Sequence, residues 1–107
     1  MQRVTLVRYR TKPDGAEENE ALSRAVFAEL RETAPPHVTY ALFRDGRDFV
    51  HVFINAEADD SSPVTELASF KAFTKDASAR WEAPPEQIRL GVRLIESYGL
   101  TAAMAQA

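Results

Sequence analysis

One histidine stands out as a residue that could do chemistry. His51 lies at the centre of residues 49–55, FVHVFIN, the most apolar run in the chain. Among aromatic neighbours it could act as a general base, taking the proton whose loss starts the oxidation of an electron-rich phenolic ring. Apolar surroundings would lower its pKa and keep the imidazole neutral, which suits a base. The alternative is a core histidine that is hydrogen-bonded to a neighbour such as Tyr40.

Five further residues could bind a ligand near His51. They are aromatic or cationic and lie on predicted strands or at a predicted helix end: Arg8, Tyr40, Phe49, Phe53 and Trp81. Tyr40 could orient His51 or hydrogen-bond a ligand, and it could equally be a cross-strand packing partner. Arg8 could contact an anion, although a salt bridge to a glutamate also explains a charge on a central strand. Trp81 is expected either at the mouth of a pocket or in the core.

Composition argues against several other kinds of chemistry. The chain has 107 residues, no cysteine, and a net charge of -3 without a cluster of lysine or arginine. Disulfides, thiolate metal sites, cysteine nucleophiles and nucleic-acid binding are therefore not expected. The two histidines, His37 and His51, are far apart and lack a carboxylate at ligand spacing, so we expect no metal site. No glycine-rich phosphate loop follows a strand, which argues against nucleotide and flavin dinucleotide cofactors, and no cofactor is expected.

The sequence also lacks a membrane segment. No apolar run approaches the length that spans a bilayer, and residues 1–4 lead into a strand-like segment without the apolar region of a signal peptide. We therefore expect a cytoplasmic protein with no membrane partner.

The elements that must position the candidate residues follow from periodicity and turn residues. Alternating β-branched and aromatic residues predict strands at residues 4–10, 38–43, 49–55 and 88–98. Apolar residues at helical spacing predict helices at residues 16–33 and, through Leu67, Phe70, Phe73, Ala77 and Trp81, from Ser62-Pro63 to Trp81. Asp14 is a candidate N-cap for the first helix. Residues 1–98 are expected to form one domain, with residues 99–107 as a C-terminal tail.

The sequence around Asp45-Gly46 predicts a hairpin between the two central strands. A two-residue loop at Asp45-Gly46 would place Tyr40 across from His51, and a four-residue loop from residue 44 to residue 47 would give the same register. A three-residue loop with a bulge would change it. In the predicted register Tyr40, His51 and their neighbours Phe49 and Phe53 share one face of the sheet.

The order of elements, βαββαβ, predicts an α+β fold of the ferredoxin-like kind. Two interleaved βαβ units give a four-stranded antiparallel sheet with two helices on one face. The other face would remain an exposed apolar surface, so we expect a homodimer that packs sheet against sheet. We expect the helices to cover Val50, Val52 and Ile54, which leaves His51 facing the space between the subunits.

Several motifs resemble a known family. They are KPD at the exit from the first strand, FVHV on the third strand, LASFKAF in the second helix, EAPP after it, and the ending ESY. Over roughly residues 4–98 the chain resembles the dimeric α/β-barrel superfamily, in particular its antibiotic-biosynthesis-monooxygenase-like branch. The resemblance implies the dimeric barrel fold and a possible cofactor-independent oxidation of aromatic, polyketide-like molecules. Haem-degrading members have an asparagine on the first strand and a histidine beside the tryptophan, and this chain has neither.

Two functions from different classes are therefore open. In the first, the chain is a small cofactor-independent monooxygenase that acts on an aromatic molecule in the barrel cavity. In the second, it is a non-catalytic dimer that is structural or binds a small ligand. A cavity of roughly 300 Å³ or more beside His51 would favour a ligand.

Overall fold

The computed structural model of this chain describes residues 2–56 and 64–99. Its elements in chain order are β1 (Gln2–Arg10), α1 (Ala16–Thr33), β2 (Val38–Asp45), β3 (Asp48–Asn55), α2 (Ala68–Lys75), α3 (Ala77–Arg80) and β4 (Glu86–Val92). The four strands form one antiparallel sheet in the order β2-β3-β1-β4. This arrangement confirms the predicted ferredoxin-like α+β fold. None of the described helices is long and apolar enough to cross a membrane.

Helix α1 forms where its periodicity predicts it. Val26 is buried, Leu22 and Leu30 pack against the core beside it, and the helix ends where Ala34 takes a left-handed conformation before two prolines. The predicted N-cap was wrong, because Gly15 rather than Asp14 holds that position. A Cβ on Gly15 would lie 3.1 Å from the carbonyl oxygen of Arg80, so the close approach of α3 favours glycine there.

The second predicted helix is divided in two. The backbone leaves helical geometry at Asp76, so α2 and the single turn α3 are separate, and the described residues form three helices where the sequence predicted two. Trp81 lies beyond α3 in an extended conformation and forms an antiparallel bridge with Thr11 at the end of β1. The predicted start at Ser62-Pro63 lies outside the described residues.

The register of the β2–β3 hairpin differs from the prediction by two residues. Gly46 and Arg47 form the two-residue turn, with Asp45 paired to Asp48. Gly46 has a φ of 61° and is the first residue of the turn, as in a type II′ hairpin, whereas the prediction placed it second. Tyr40 consequently lies opposite Phe53 instead of His51. Because side chains alternate with a period of two, a shift of two residues leaves the same side chains together on each face of the sheet.

The predicted facing of the sheet was wrong. Phe49 and His51 are buried on the side of the helices, where His51 meets Phe73 of α2, while Val50 and Val52 lie on the opposite face. Both faces of β3 are apolar, so alternation alone did not distinguish them. The large rings fill the space between sheet and helices, and the shorter aliphatic side chains form the flatter surface on the other side.

The uncovered face of the sheet is apolar across all four strands. Leu6 pairs with Val52 of β3 on one side and with Ile88 of β4 on the other. Two residues earlier on β1, Val4 pairs with Ile54 and Leu90 in the same way. Ile88 and Leu90 are 50% and 48% exposed, and Phe43 on β2 is 60% exposed. We call this surface the free face. Strand β4 ends at Val92 rather than at residue 98, so Ile95 and Tyr98 lie beyond the sheet.

We expect Phe73→Ala to lower the free energy of unfolding by roughly 3–5 kcal/mol, the usual cost of truncating a buried aromatic ring. Phe73 is buried against His51 and lies under the guanidinium of Arg80. Urea denaturation measures the loss. Ile95→Ala is the control, because Ile95 is exposed beyond the sheet and should change stability by less than about 1 kcal/mol. A similar small loss for Phe73→Ala would contradict this packing.

Candidate functional site

A cavity of about 330 Å³ lies on the helix side of the sheet, beside His51. Its floor is formed by side chains of β1, β3 and β4, and α2 and Trp81 form its walls. Six aromatic side chains line it: Tyr9, Tyr40, Phe53, Phe70, Phe73 and Trp81. Six polar side chains also line it: Arg3, Thr5, Asn55, Thr65, Gln87 and Arg89.

His51 is buried and hydrogen-bonded through both ring nitrogens. Its Nε2 lies 2.8 Å from the hydroxyl oxygen of Tyr9, and its Nδ1 lies 2.6 Å from that of Tyr40. Burial lowers the pKa of His51 from 6.5 to about 4, so the ring is neutral at physiological pH. Because tyrosine hydroxyls occupy both ring nitrogens, a ligand in the cavity would contact a hydroxyl group rather than a nitrogen of His51.

The hydrogen bonds continue from Tyr9 into the helices. The Asn19 amide donates to the Tyr9 hydroxyl at 2.7 Å, and Arg80 Nε donates to the Asn19 carbonyl oxygen at 3.2 Å. Arg80 also donates to the backbone carbonyl of Phe73 at 2.7 Å. The five side chains Arg80, Asn19, Tyr9, His51 and Tyr40 form one connected row, which we call the polar chain. Such a chain inside a core is stable only because each of its members is hydrogen-bonded.

Both tyrosines of the polar chain are held in the protonated state. Burial raises the pKa of Tyr9 to about 12, against the opposing effects of Asn19, the Arg80 charge and Trp81. Burial, followed by repulsion from Tyr9, raises the pKa of Tyr40 as well. The Trp81 Nε1 is buried and donates no well-formed hydrogen bond to any described residue, so its contact with the Tyr9 hydroxyl is weak. At neutral pH the site therefore presents hydroxyl groups and no phenolate.

Four of the six predicted site residues line the cavity. They are Tyr40, His51, Phe53 and Trp81. Phe49 does not line it, since its ring is completely buried, stacked on Tyr9 at 5.6 Å and covered by the guanidinium of Arg44. Phe49 therefore packs against Tyr9 and does not contact the cavity.

Arg8 is not part of the cavity either. Its neighbour Tyr9 faces the helices, and because successive side chains of a strand point to opposite faces, Arg8 lies on the free face. There it pairs with Glu86 at 3.1 Å in an exposed salt bridge. The ligand role suggested for Arg8 therefore does not fit this cavity, and the glutamate partner considered as the alternative is the one observed.

Three residues of the polar chain were missed in the sequence. Tyr9 was placed on the first strand but not assigned a role, and Asn19 and Arg80 were not singled out. A signal for Asn19 exists, because an asparagine seven residues before Val26 falls on the apolar side of α1, where a polar group needs a partner. No comparable signal exists for Arg80, because its burial depends on the break between α2 and α3.

Among the described residues, no group of three or more histidine, aspartate or glutamate side chains is arranged to hold a metal ion.

Comparison with known proteins identifies relatives by structure only. No family model matches the chain, and no curated protein sequence matches it. The structure resembles Rv0793 from Mycobacterium tuberculosis, with a TM-score of 0.74, 14% identity, and coverage of 91% of this chain and 100% of that one. It also resembles an antibiotic biosynthesis monooxygenase, with a TM-score of 0.67, 19% identity, and coverage of 88% and 100%.

A third similar structure is SnoaB, a cofactor-independent oxygenase from Streptomyces nogalater. It matches with a TM-score of 0.58 and 17% identity, over 88% of this chain and 95% of that one. At this level of identity the likeness shows the fold. The resemblance to antibiotic-biosynthesis-monooxygenase-like proteins is thus confirmed as a likeness of fold.

We expect the free energy of unfolding to fall as the pH drops from about 6.5 to about 4. His51 has a pKa of about 4 when folded and 6.5 when unfolded, so the unfolded chain takes up the proton first. The loss should reach about 3 kcal/mol at or below pH 4. It is measured as the difference between wild-type and His51→Gln stability in urea at each pH, since carboxylates contribute to both proteins. NMR titration of His51 near its ordinary value would contradict this expectation.

Proposed function

We propose that this chain binds a small, flat aromatic molecule in the cavity beside His51 and oxidises it with dioxygen without a cofactor. The observation that supports the proposal best is a ligand-sized cavity that is lined both by aromatic rings and by Tyr40, the last member of the polar chain. Its volume of about 330 Å³ falls within the range of small-molecule sites. Several aromatic rings offer stacking surfaces, and the Tyr40 hydroxyl can fix the orientation of an oxygen substituent.

The reaction that fits this site is the oxidation of a phenolic ring. A phenolate is electron-rich enough to pass an electron to dioxygen, after which carbon–oxygen bond formation and loss of water give a quinone. For 1-naphthol the balance is one naphthol and one dioxygen to one 1,4-naphthoquinone and one water. One oxygen atom enters the ring and the other leaves as water, so the substrate supplies all the electrons. The protein then needs only to bind the ring, favour its phenolate and admit dioxygen.

His51 would act in this reaction through Tyr40. Both of its nitrogens are occupied by tyrosine hydroxyls, and its low pKa makes it a weak base at neutral pH. This geometry does not favour direct removal of the substrate proton by His51. It favours a role in which the Tyr40 hydroxyl stabilises the phenolate. The substrate proton can leave to solvent through the open side of the cavity.

The second candidate function is ligand binding without catalysis. The observation that favours it is the same pair of occupied nitrogens, because a fully satisfied core histidine also explains them. In that case the cavity holds an aromatic molecule and releases it unchanged. The similar structure described as a cofactor-independent oxygenase supports the catalytic candidate by its fold alone.

We also propose that the protein is a homodimer that packs through the free face. That face crosses all four strands and exposes Phe43, Ile88 and Leu90, which is more apolar surface than a monomer usually shows to water. Stable interfaces bury on the order of 1,200–2,000 Å² in total. The cavity lies on the opposite side of the sheet, so each subunit would carry its own site. The absence of cysteine suits a reducing compartment, and we propose a cytoplasmic location.

We expect the protein to consume dioxygen in the presence of 1-naphthol and a metal chelator, and to release 1,4-naphthoquinone. Oxygen uptake and quinone absorbance measure the reaction, and naphthalene, which lacks the hydroxyl, should give neither. Tyr40→Phe should slow it roughly 10- to 100-fold, because one donor to the phenolate is lost. Tyr98→Phe is the matched control, since Tyr98 is fully exposed beyond the sheet.

Binding of hydroxylated naphthalenes without oxygen uptake would reject catalysis and leave the binding function. Failure of hydroxylated naphthalenes and anthracenes to bind at all would reject both.

We expect wild-type protein to be a dimer at low micromolar concentration and Ile88→Asp to be a monomer. Ile88 lies on the free face, where a buried carboxylate would oppose association. Light scattering coupled to size-exclusion chromatography measures the mass. Ile95→Asp introduces the same charge beyond the sheet and should remain dimeric. A wild-type monomer at this concentration would contradict the proposal.

A further inference from the structure

The polar chain begins at a buried cation with no described carboxylate to balance it. Arg80 is only 4% exposed, and none of the described acidic residues forms an ion pair with it. Its guanidinium instead donates to two carbonyl oxygens, those of Asn19 and Phe73, and lies over the Phe73 ring at 5.0 Å. A guanidinium can only donate hydrogen bonds. The oxygen of the Asn19 amide must therefore face Arg80, and its NH₂ group must face Tyr9.

This orientation fixes the role of Tyr9. Its hydroxyl oxygen accepts a hydrogen bond from Asn19, so its own proton is available to Nε2 of His51 at 2.8 Å. If Nε2 carried the proton instead, the Tyr9 hydroxyl would have two donors directed at its oxygen. One hydroxyl proton lacks a partner within the described part of the chain in either direction, and it would then be the proton of Tyr9, which is only 6% exposed, rather than that of Tyr40, which is part-buried beside the cavity. An unmade hydrogen bond costs about 1–3 kcal/mol, and it costs more in the more deeply buried position. Nε2 is therefore the acceptor, and the His51 proton is on Nδ1.

The last hydrogen bond of the polar chain joins His51 to Tyr40, which lines the cavity. His51 Nδ1–H donates to the oxygen of Tyr40 at 2.6 Å. The proton of Tyr40 has no other hydrogen-bond partner among the described residues, and Tyr40 lines the cavity. Every hydrogen bond from Arg80 to Tyr40 thus has the same direction, and the last donor is available to a ligand.

We propose that Arg80 and Asn19 fix this direction, so that Tyr40 donates a hydrogen bond and the cavity selects aromatic molecules that present an acceptor oxygen. A ring ketone, a quinone or an ionised phenol meets this requirement. The positive charge of Arg80 adds to the preference, because a chain of aligned hydrogen bonds favours negative charge at its far end. Asn19 and Arg80 are positioning residues in this scheme, since neither lines the cavity.

The direction of the chain stands independently of the proposed function, whereas the choice of ligand rests on it. The first measurement therefore uses the protein alone. Nitrogen-15 NMR of the His51 ring distinguishes a proton on Nδ1 from one on Nε2, and wild-type protein should carry it on Nδ1.

The sharpest variant is Asn19→Asp, which has nearly the same shape. A carboxylate only accepts hydrogen bonds, so Tyr9 would donate to it, His51 Nε2 would donate to Tyr9, and Tyr40 would donate to Nδ1. The proton should therefore move from Nδ1 to Nε2. Ser23→Ala is the matched control, because Ser23 is buried on the same helix and bonds to the backbone carbonyl of Asn19 rather than to its side chain. It should leave the proton on Nδ1.

Ligand binding tests the second half of the proposal with 9-fluorenone and fluorene, which differ by one carbonyl oxygen. Wild-type protein should bind fluorenone roughly 5- to 10-fold more tightly, the usual effect of one hydrogen bond. In Asn19→Asp, Tyr40 donates to His51 and the preference should disappear. Calorimetry or fluorescence titration gives both dissociation constants.

The possible outcomes test the direction of the hydrogen bonds and the ligand preference separately. A wild-type proton on Nε2 overturns the direction of the chain, and this measurement does not depend on whether Asn19→Asp folds. The expected tautomer with equal affinity for both ligands overturns the selection of an acceptor oxygen. If neither ligand binds and the hydroxylated naphthalenes do not bind either, the proposed function fails while the direction of the chain stands on the NMR result.

Discussion

The structure depends on burying Arg80 without a described acidic partner. Moving an unpaired cation out of water is costly, so the charge must be stabilised by neutral groups around it. Here the Asn19 amide and the Phe73 carbonyl accept hydrogen bonds from the guanidinium, and the Phe73 ring lies against it, so the stabilising groups come from two helices. This requirement fixes how α1, α2 and α3 meet and determines which groups of Tyr9 and His51 can donate. The glycine before α1 belongs to the same constraint, because it lets the backbone of Arg80 approach closely.

The two faces of the sheet differ in composition. The face toward the helices carries the aromatic rings, the polar chain and the cavity, whereas the free face carries mainly aliphatic side chains. The arrangement leaves the core incompletely filled beside His51, and an incompletely filled core is costly unless the space is used. Aromatic rings and polar side chains line that space together, which is typical of a binding site rather than of a packing defect.

The likeness to solved structures at 14–19% identity shows how little of this fold depends on particular residues. A sheet with two apolar faces and helices on one side can be built from many sequences, since alternation and connection rules suffice. The cavity is different, because its chemistry depends on individual hydrogen bonds. The function of this chain must therefore be argued from the polar chain and its surroundings, because the fold by itself does not establish a function.

The sequence by itself determined the strands, the first helix and the topology. These depend on local periodicity, as in residues 49–55 and in the spacing of Leu22, Val26 and Leu30, and on the order βαββαβ. It also grouped Tyr40, His51 and Phe53 on one face of the sheet, because aromatic alternation marks one side of a strand, but it assigned that face to the space between two subunits. Only the tertiary structure decided which side the helices cover, since both sides of β3 are apolar. The hairpin register depended on where Gly46 lies in its turn, and the burial of Arg80 depended on the break at Asp76. These features are set by packing between distant segments, and a local pattern contains no information about that packing.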